Sequence, residues 1–195
     1  MRTASILINA ILFITTFVII LSYFRKDGQW RIENGLIRFR FFTTLSNVFC
    51  AIAALLMAIS QIGGPVSPFA LHMKYLGTVS VTITLLTVFL ILVPFKGGYE
   101  KWLSGTNLYM HLIGPLLAIL SFCFLEKQKM SFGAALTGVL PLLLYGAVYL
   151  YKVILAPEGK RWEDVYGFNR GGKWPIAFGI MLAGALAVCV LFWLI

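Results

Sequence analysis

Six apolar runs, each close to twenty residues long and separated by short polar segments, take up most of this 195-residue chain. They fall near Ser5–Phe24, Phe41–Ile62, Tyr75–Pro94, Asn107–Leu125, Ser131–Tyr151 and Pro175–Ile195. A helix needs about 20 apolar residues to cross the hydrocarbon layer of a bilayer. Open sheets are excluded, because unpaired backbone groups cannot face lipid, and the runs are too long and unbroken for barrel strands. The spacing predicts an all-α polytopic integral membrane protein, a six-helix transmembrane bundle. Residues 1–195 would form a single transmembrane domain with no soluble domain beside it. Composition agrees: hydrophobic residues are 60% of the chain and charged residues only 12%, outside the range of soluble domains.

Arg2 precedes the first run, yet no small-residue cleavage site follows it, and Arg25 and Lys26 close a full-length span. This reads as a retained helix and not as a signal peptide. No lipidation signal is expected, since residue 2 is Arg and the chain ends Phe-Trp-Leu-Ile. The segments after the first, third and fifth runs carry twelve Lys and Arg, while Arg2, Lys74, Lys127 and Lys129 are the four on the other face. The positive-inside rule then puts the basic loops in the cytoplasm and both termini outside. Trp30, Trp102, Trp162 and Trp174 fall in the same basic segments, as interfacial anchors do. The net charge of +9 is explained by anionic lipid head groups at that face and calls for no nucleic-acid partner. The compact chain and minimal loops point to a bacterial cell membrane.

Cys50, Cys123 and Cys189 lie in three different runs, with neither metal-ligand nor disulfide-framework spacing, and read as small core residues. No HExxH, GxSxG, Walker or dinucleotide fingerprint occurs. The acidic residues fall in loops or at the ends of runs, so neither a metal nor another cofactor is expected. Paired Gly/Pro interruptions between the halves are also missing, which tells against a secondary transporter.

Polar residues inside apolar runs are costly in lipid and often functional. Thr43, Ser46 and Asn47 share one face at the start of the second run, and Ala51, Ala54 and Ala58 continue it. Such hydroxyls also bond back to helix carbonyls, and small residues also serve close packing. In the fourth run Asn107, His111, Gly114, Ala118 and Ser121 form one stripe, expected to face the bundle interior. The second and fourth runs cross in the same direction, so Thr43 and His111 enter from one face at similar depth. A hydroxyl and an imidazole so placed suit a nucleophile and its base, in contact if the two helices are neighbours. His72 belongs at the opposite face.

Arg40, Phe41, Phe42 and Thr43 opening the second run, with Asn107, Met110, His111 and Pro115 in the fourth, resemble the androgen-induced gene 1 protein family. That family comprises six-span membrane proteins with short loops, and its characterised members are atypical threonine hydrolases. They cleave fatty acid esters of hydroxy fatty acids. The resemblance implies that Thr43 is the nucleophile and His111 its partner, with a membrane lipid as substrate. Thr44 directly follows Thr43, so the register of the nucleophile stays open by one residue.

Threonine is a weak nucleophile until a positioned base takes its proton. With no carboxylate available to orient the imidazole, a dyad is expected, with Asn107 holding the ring from one turn away. An oxyanion donor is required; Asn47 and, on the fifth run, Tyr145 are the candidates. Elsewhere, Gly77, Ser80, Thr84 and Thr87 on the third run, and Gly179, Ala183 and Ala187 on the sixth, predict close helix packing. Pro141 predicts a kink in the fifth helix. The segment with Trp162, Tyr166 and Phe168 is expected at the interface. A non-catalytic membrane protein, either a small-ligand transporter or a subunit of a larger complex, is the alternative reading.

Overall fold

The computed structural model describes residues 1–126 and 128–195; Lys127, counted above among the basic residues, lies outside them. Six helices are long and apolar enough to cross a membrane, the build of an integral membrane protein. They are α1 (Arg2–Tyr23), α3 (Phe42–Gly63), α4 (Pro68–Lys96), α6 (Thr106–Glu126), α7 (Phe132–Leu155) and α8 (Trp174–Leu194). Two shorter helices, α2 (Ile32–Arg38) and α5 (Gly98–Trp102), lie in the connections after α1 and α4. By contacts the chain divides into two compact units, Met1–Lys129 and Met130–Ile195.

The first unit contains α1 to α6. Its α1–α2 connection begins with a two-residue hairpin in which Arg25 pairs with Trp30 and Lys26 with Gln29. Asp27 and Gly28 turn it with φ of 53° and 77°, the left-handed pair that a tight hairpin favours. Helix α4 starts at Pro68, seven residues before the expected Tyr75, because proline pre-sets the first helical turn after an extended Ser67. His72 and Lys74, expected in a connection, are therefore helical.

Leu12, Cys50, Ala54, Val81 and Ala118, one or two from each of α1, α3, α4 and α6, form the apolar core of this unit. Small residues let the backbones approach. A Cβ added to Gly77 would stand 2.9 Å from the Cys50 Cα, so α3 and α4 touch through that glycine. Ser80, Thr84 and Thr87 are buried on the same face, as the stripe in the sequence predicts. Their hydroxyls donate back to the carbonyls of Leu76, Ser80 and Ile83, the arrangement that hides a hydroxyl in an apolar helix.

In the second unit, α7 passes through a 3-10 turn at Thr137–Val139 just ahead of Pro141. The expected packing stripe of α8 is a correction: Gly179, Ala183 and Ala187 are exposed, and Ala185, Val188, Cys189 and Phe192 are buried instead. The close approach uses a glycine on the other helix. A Cβ on Gly146 would lie 2.6 Å from the Phe178 ring, so an aromatic side chain of α8 fills the notch on α7. The α7–α8 connection is tied down by Asp164. Its carboxylate accepts the Tyr149 hydroxyl at 2.5 Å and the backbone N–H groups of Phe168 at 3.0 Å and Asn169 at 2.9 Å. Tyr166 and Phe168 stack at 5.2 Å, and both rings pack against Tyr149.

Candidate functional site

Helix α3 begins after an extended Phe41 and has no side-chain cap. Its first N–H groups therefore have no partner within the helix. Thr43 and Thr44 sit in this first turn, Thr43 half-buried and Thr44 buried. Among the described residues the Thr43 hydroxyl makes no hydrogen bond to the His111 ring.

Helix α6 is not a regular α-helix where it carries His111. Tyr109–Ile113 forms a π turn, and the Gly114 N–H donates to the Tyr109 carbonyl. The Met110 carbonyl thereby loses the donor that an α-helix would supply. The donor of a continued π-helix would be the N–H of residue 115, and Pro115 has none. Met110 would be left with a buried, unpaired carbonyl, costing about 1–3 kcal/mol. Asn47 fills the gap: its Nδ2 donates to the Met110 carbonyl at 2.9 Å and to the Thr43 carbonyl at 2.8 Å. One buried amide thus ties the first turns of α3 and α6 together and carries the residues at 43 and 110 on one nitrogen. The common entry face of these two helices follows from this bond.

The same bond corrects an expectation. Both hydrogens of the Asn47 amide are committed to carbonyls, so none is left for an oxyanion; the residue is a clamp. Asn107 does not hold the ring at Nδ1 either, its own amide donating to the Lys101 carbonyl at 3.3 Å. The partner of His111 Nδ1 is the Trp102 carbonyl at 2.6 Å. Trp102 ends the short helix α5, where carbonyls lack intrahelical donors. A carbonyl can only accept, so in the neutral ring Nδ1 carries the hydrogen and Nε2 keeps the lone pair. His111 is itself buried, as are Gly114, Pro115, Ala118 and Ser121. Ile113, Leu116 and Leu120 are exposed, so the predicted stripe does face inward. Tyr145 belongs to the second unit, where its ring packs on Tyr149 at 5.8 Å.

A second polar cluster, at the other end of the first unit, escaped the sequence reading. Ser5 and Asn9 of α1, Gln61 of α3, Lys74 of α4 and Glu126 of α6 are all buried. Lys74 Nζ donates to Asn9 Oδ1 at 2.6 Å and lies 3.7 Å from Glu126 Oε2. Glu126 Oε1 accepts Asn9 Nδ2 at 2.5 Å and Ser5 Oγ at 2.7 Å, and Gln61 Nε2 donates to Ser5 Oγ at 2.8 Å. Among the described residues, Glu126 Oε2 is buried without a hydrogen-bond donor. An unpaired charge in a membrane helix costs on the order of 3 kcal/mol, which is why such groups pair. The available signal was Ser5 and Asn9 one turn apart inside an apolar run, with Gln61 polar inside another.

Comparison of the chain with protein-family models, with curated proteins and with solved structures finds no match.

Proposed function

We propose that the protein is an intramembrane lipid-ester hydrolase in which Thr43 is the nucleophile and His111 the general base. The observation that carries this reading is the bond from His111 Nδ1 to the Trp102 carbonyl, which leaves Nε2 as the basic nitrogen of a buried ring. The Asn47 clamp supports it by tying the helix turn that bears Thr43 to the one that bears His111. In the reaction Thr43 Oγ1 attacks the ester carbonyl carbon while its proton passes to His111 Nε2. Collapse of the tetrahedral species expels the hydroxy-acid alkoxide, which takes that proton. Water then adds to the acyl-threonine through the same nitrogen, releasing the fatty acid and restoring the Thr43 hydroxyl. The reading requires the hydroxyl to reach Nε2 in the substrate complex, since the two make no hydrogen bond among the described residues.

The oxyanion donors in this reading are the backbone N–H groups of Thr43 and Thr44, uncapped at the helix start and next to the nucleophile. The substrate class is a fatty acid ester of a hydroxy fatty acid or a similar membrane lipid ester. The setting is a bacterial cell membrane, with the basic loops at the cytoplasmic face against anionic head groups and both termini outside. Hydrolysis of a panel of such esters by purified protein in detergent tests the reading, with Thr43→Ala, Thr44→Ala and His111→Ala as variants. Loss of turnover in the first and third but not the second supports the dyad and its register. Turnover unchanged in Thr43→Ala and His111→Ala rejects it.

The buried Lys74–Glu126 pair favours a second reading, a small-ligand transporter, since intramembrane charges often mark ion paths. Ester turnover lost specifically in Thr43→Ala and His111→Ala excludes it as the main activity.

A further inference from the structure

An ester must reach His111 Nε2 before it can react, yet the residue is only 4% exposed. Part of its cover is the connection between α4 and α6. The Trp102 ring stands 6.1 Å from the imidazole, and the Trp102 carbonyl holds Nδ1. Trp102 and Leu103 are half-buried, while Tyr99, Glu100, Lys101 and Ser104 around them are exposed.

This segment is folded on itself and tied to the rest of its unit at few points. The Lys96 carbonyl accepts Lys101 Nζ at 3.2 Å and the Trp102 indole N–H at 3.3 Å. The Leu103 N–H donates to the Tyr99 carbonyl at 2.8 Å. Among the described residues, the hydrogen bonds of residues 98–104 stay between positions 96 and 107 with one exception, the bond to His111. Beside it, the Tyr99 ring meets Phe89 of α4 edge-on at 6.5 Å. Glycines at positive φ stand at both ends: Gly97 at 126° and Gly98 at 71° ahead of α5, and Gly105 at 53° after it. Gly105 pairs that φ with a ψ of −134°, a region that glycine alone enters readily.

We propose that residues 97–105 are a lid over His111, hinged on these glycines and latched by the Trp102 carbonyl, which opens to admit a lipid ester and closes to complete the base. This rests on the reading of His111 as the general base. One hydrogen bond adds little net stability, so the latch yields without unfolding a span. In the open form Nδ1 has lost its acceptor, and either nitrogen can carry the hydrogen. Closure restores the bond, so Nε2 is fixed as the basic nitrogen only beneath a shut lid, where the Trp102 ring keeps bulk water away. The outer face suits movement against lipid: Phe95 and Tyr99 are exposed beside Lys96 and Lys101, the mixture of ring and cation that favours the head-group boundary.

Carbethoxylation of the purified chain by diethyl pyrocarbonate in detergent tests this, read by peptide mapping at His111 and at His72, the chain's two histidines. Gly98→Ala combined with Gly105→Ala adds methyl groups that meet nothing within 4 Å and penalises the positive φ of the closed hinge. His111 should then react at least roughly tenfold faster than in the parent, with His72 unchanged. Hydrogen exchange should quicken at the amides of residues 98–104 and not in α3. Either single substitution should move His111 in the same direction, a readout that survives if the pair fails to fold. An unchanged rate at His111 overturns the lid. So does acceleration at both histidines, which would mean that the whole unit loosens. Modification is read without turnover, so a failure of the proposed hydrolysis shows separately, in the ester assay.

Discussion

The Asn47 side-chain amide donates to the Met110 carbonyl across two helices at 2.9 Å, and it does so because Pro115 and a π turn have taken away that carbonyl's own donor. The irregularity in α6 and the polar residue in α3 are two halves of one solution. A regular α6 would need no Asn47, and an apolar residue at 47 would leave Met110 unpaired in a dry interior.

Replacing Asn47 by Leu should therefore cost about 1–3 kcal/mol, the penalty for a buried carbonyl left without a donor. Thermal unfolding in detergent measures this. Asn47→Asp should be at least as harmful, because a carboxylate cannot donate to the two carbonyls. If either variant unfolds like the parent, the clamp is not what joins the helix starts.

Pro115→Ala returns an N–H to α6 and lets the turn relax to α-helix. Loss of one π turn rotates the helix on one side of it by about 100°. His111 then leaves the Trp102 carbonyl. Stability should hold or rise while ester turnover falls at least about tenfold, roughly 1.4 kcal/mol of barrier. A variant that keeps full turnover would show that the π turn does not place the ring.

Two glycines should behave oppositely. Gly77→Val puts branched carbon against the Cys50 backbone, 2.9 Å from where even a Cβ would sit, and should destabilise by about 1–3 kcal/mol. Gly179→Ala meets nothing within 4 Å and should leave unfolding unchanged or raise its midpoint slightly, since alanine is the better helix former. Melting curves of the pair make the comparison.

Asp164 gathers one hydroxyl and two backbone N–H groups. Asp164→Ala strands all three and should free the segment from Trp162 to Asn169. Limited proteolysis should then cut there several-fold faster than in the parent, with the spans intact. Equal cleavage rates would mean that the aromatic stack alone holds the segment.

The six spans could be read directly, since twenty apolar residues admit few alternatives in lipid. The inward stripe of α6 was equally legible, because His111, Gly114, Ala118 and Ser121 recur at helical spacing. Roles that depend on which helices meet could not be read. Asn47 looked like a free donor because nothing in the chain says that the Met110 carbonyl lacks one; that follows only once a π turn is placed against Pro115. Lys74 and Glu126 sit at the edges of apolar runs, where a charge normally means a connection. Their burial depends on Asn9, Ser5 and Gln61 arriving from two other helices. The Asp27–Gly28 dipeptide is a turn signal in its own right, set in a segment whose charges dominate its composition.

The most direct measurement is the mass of the protein during turnover of a hydroxy-fatty-acid ester, with peptide mapping of any adduct. The account expects an acyl group on the peptide bearing Thr43, located on its hydroxyl. It should be absent in Thr43→Ala and in His111→Ala, and retained in Thr44→Ala. Ester turnover with no adduct at Thr43, or an adduct that persists when His111 is replaced, would contradict it.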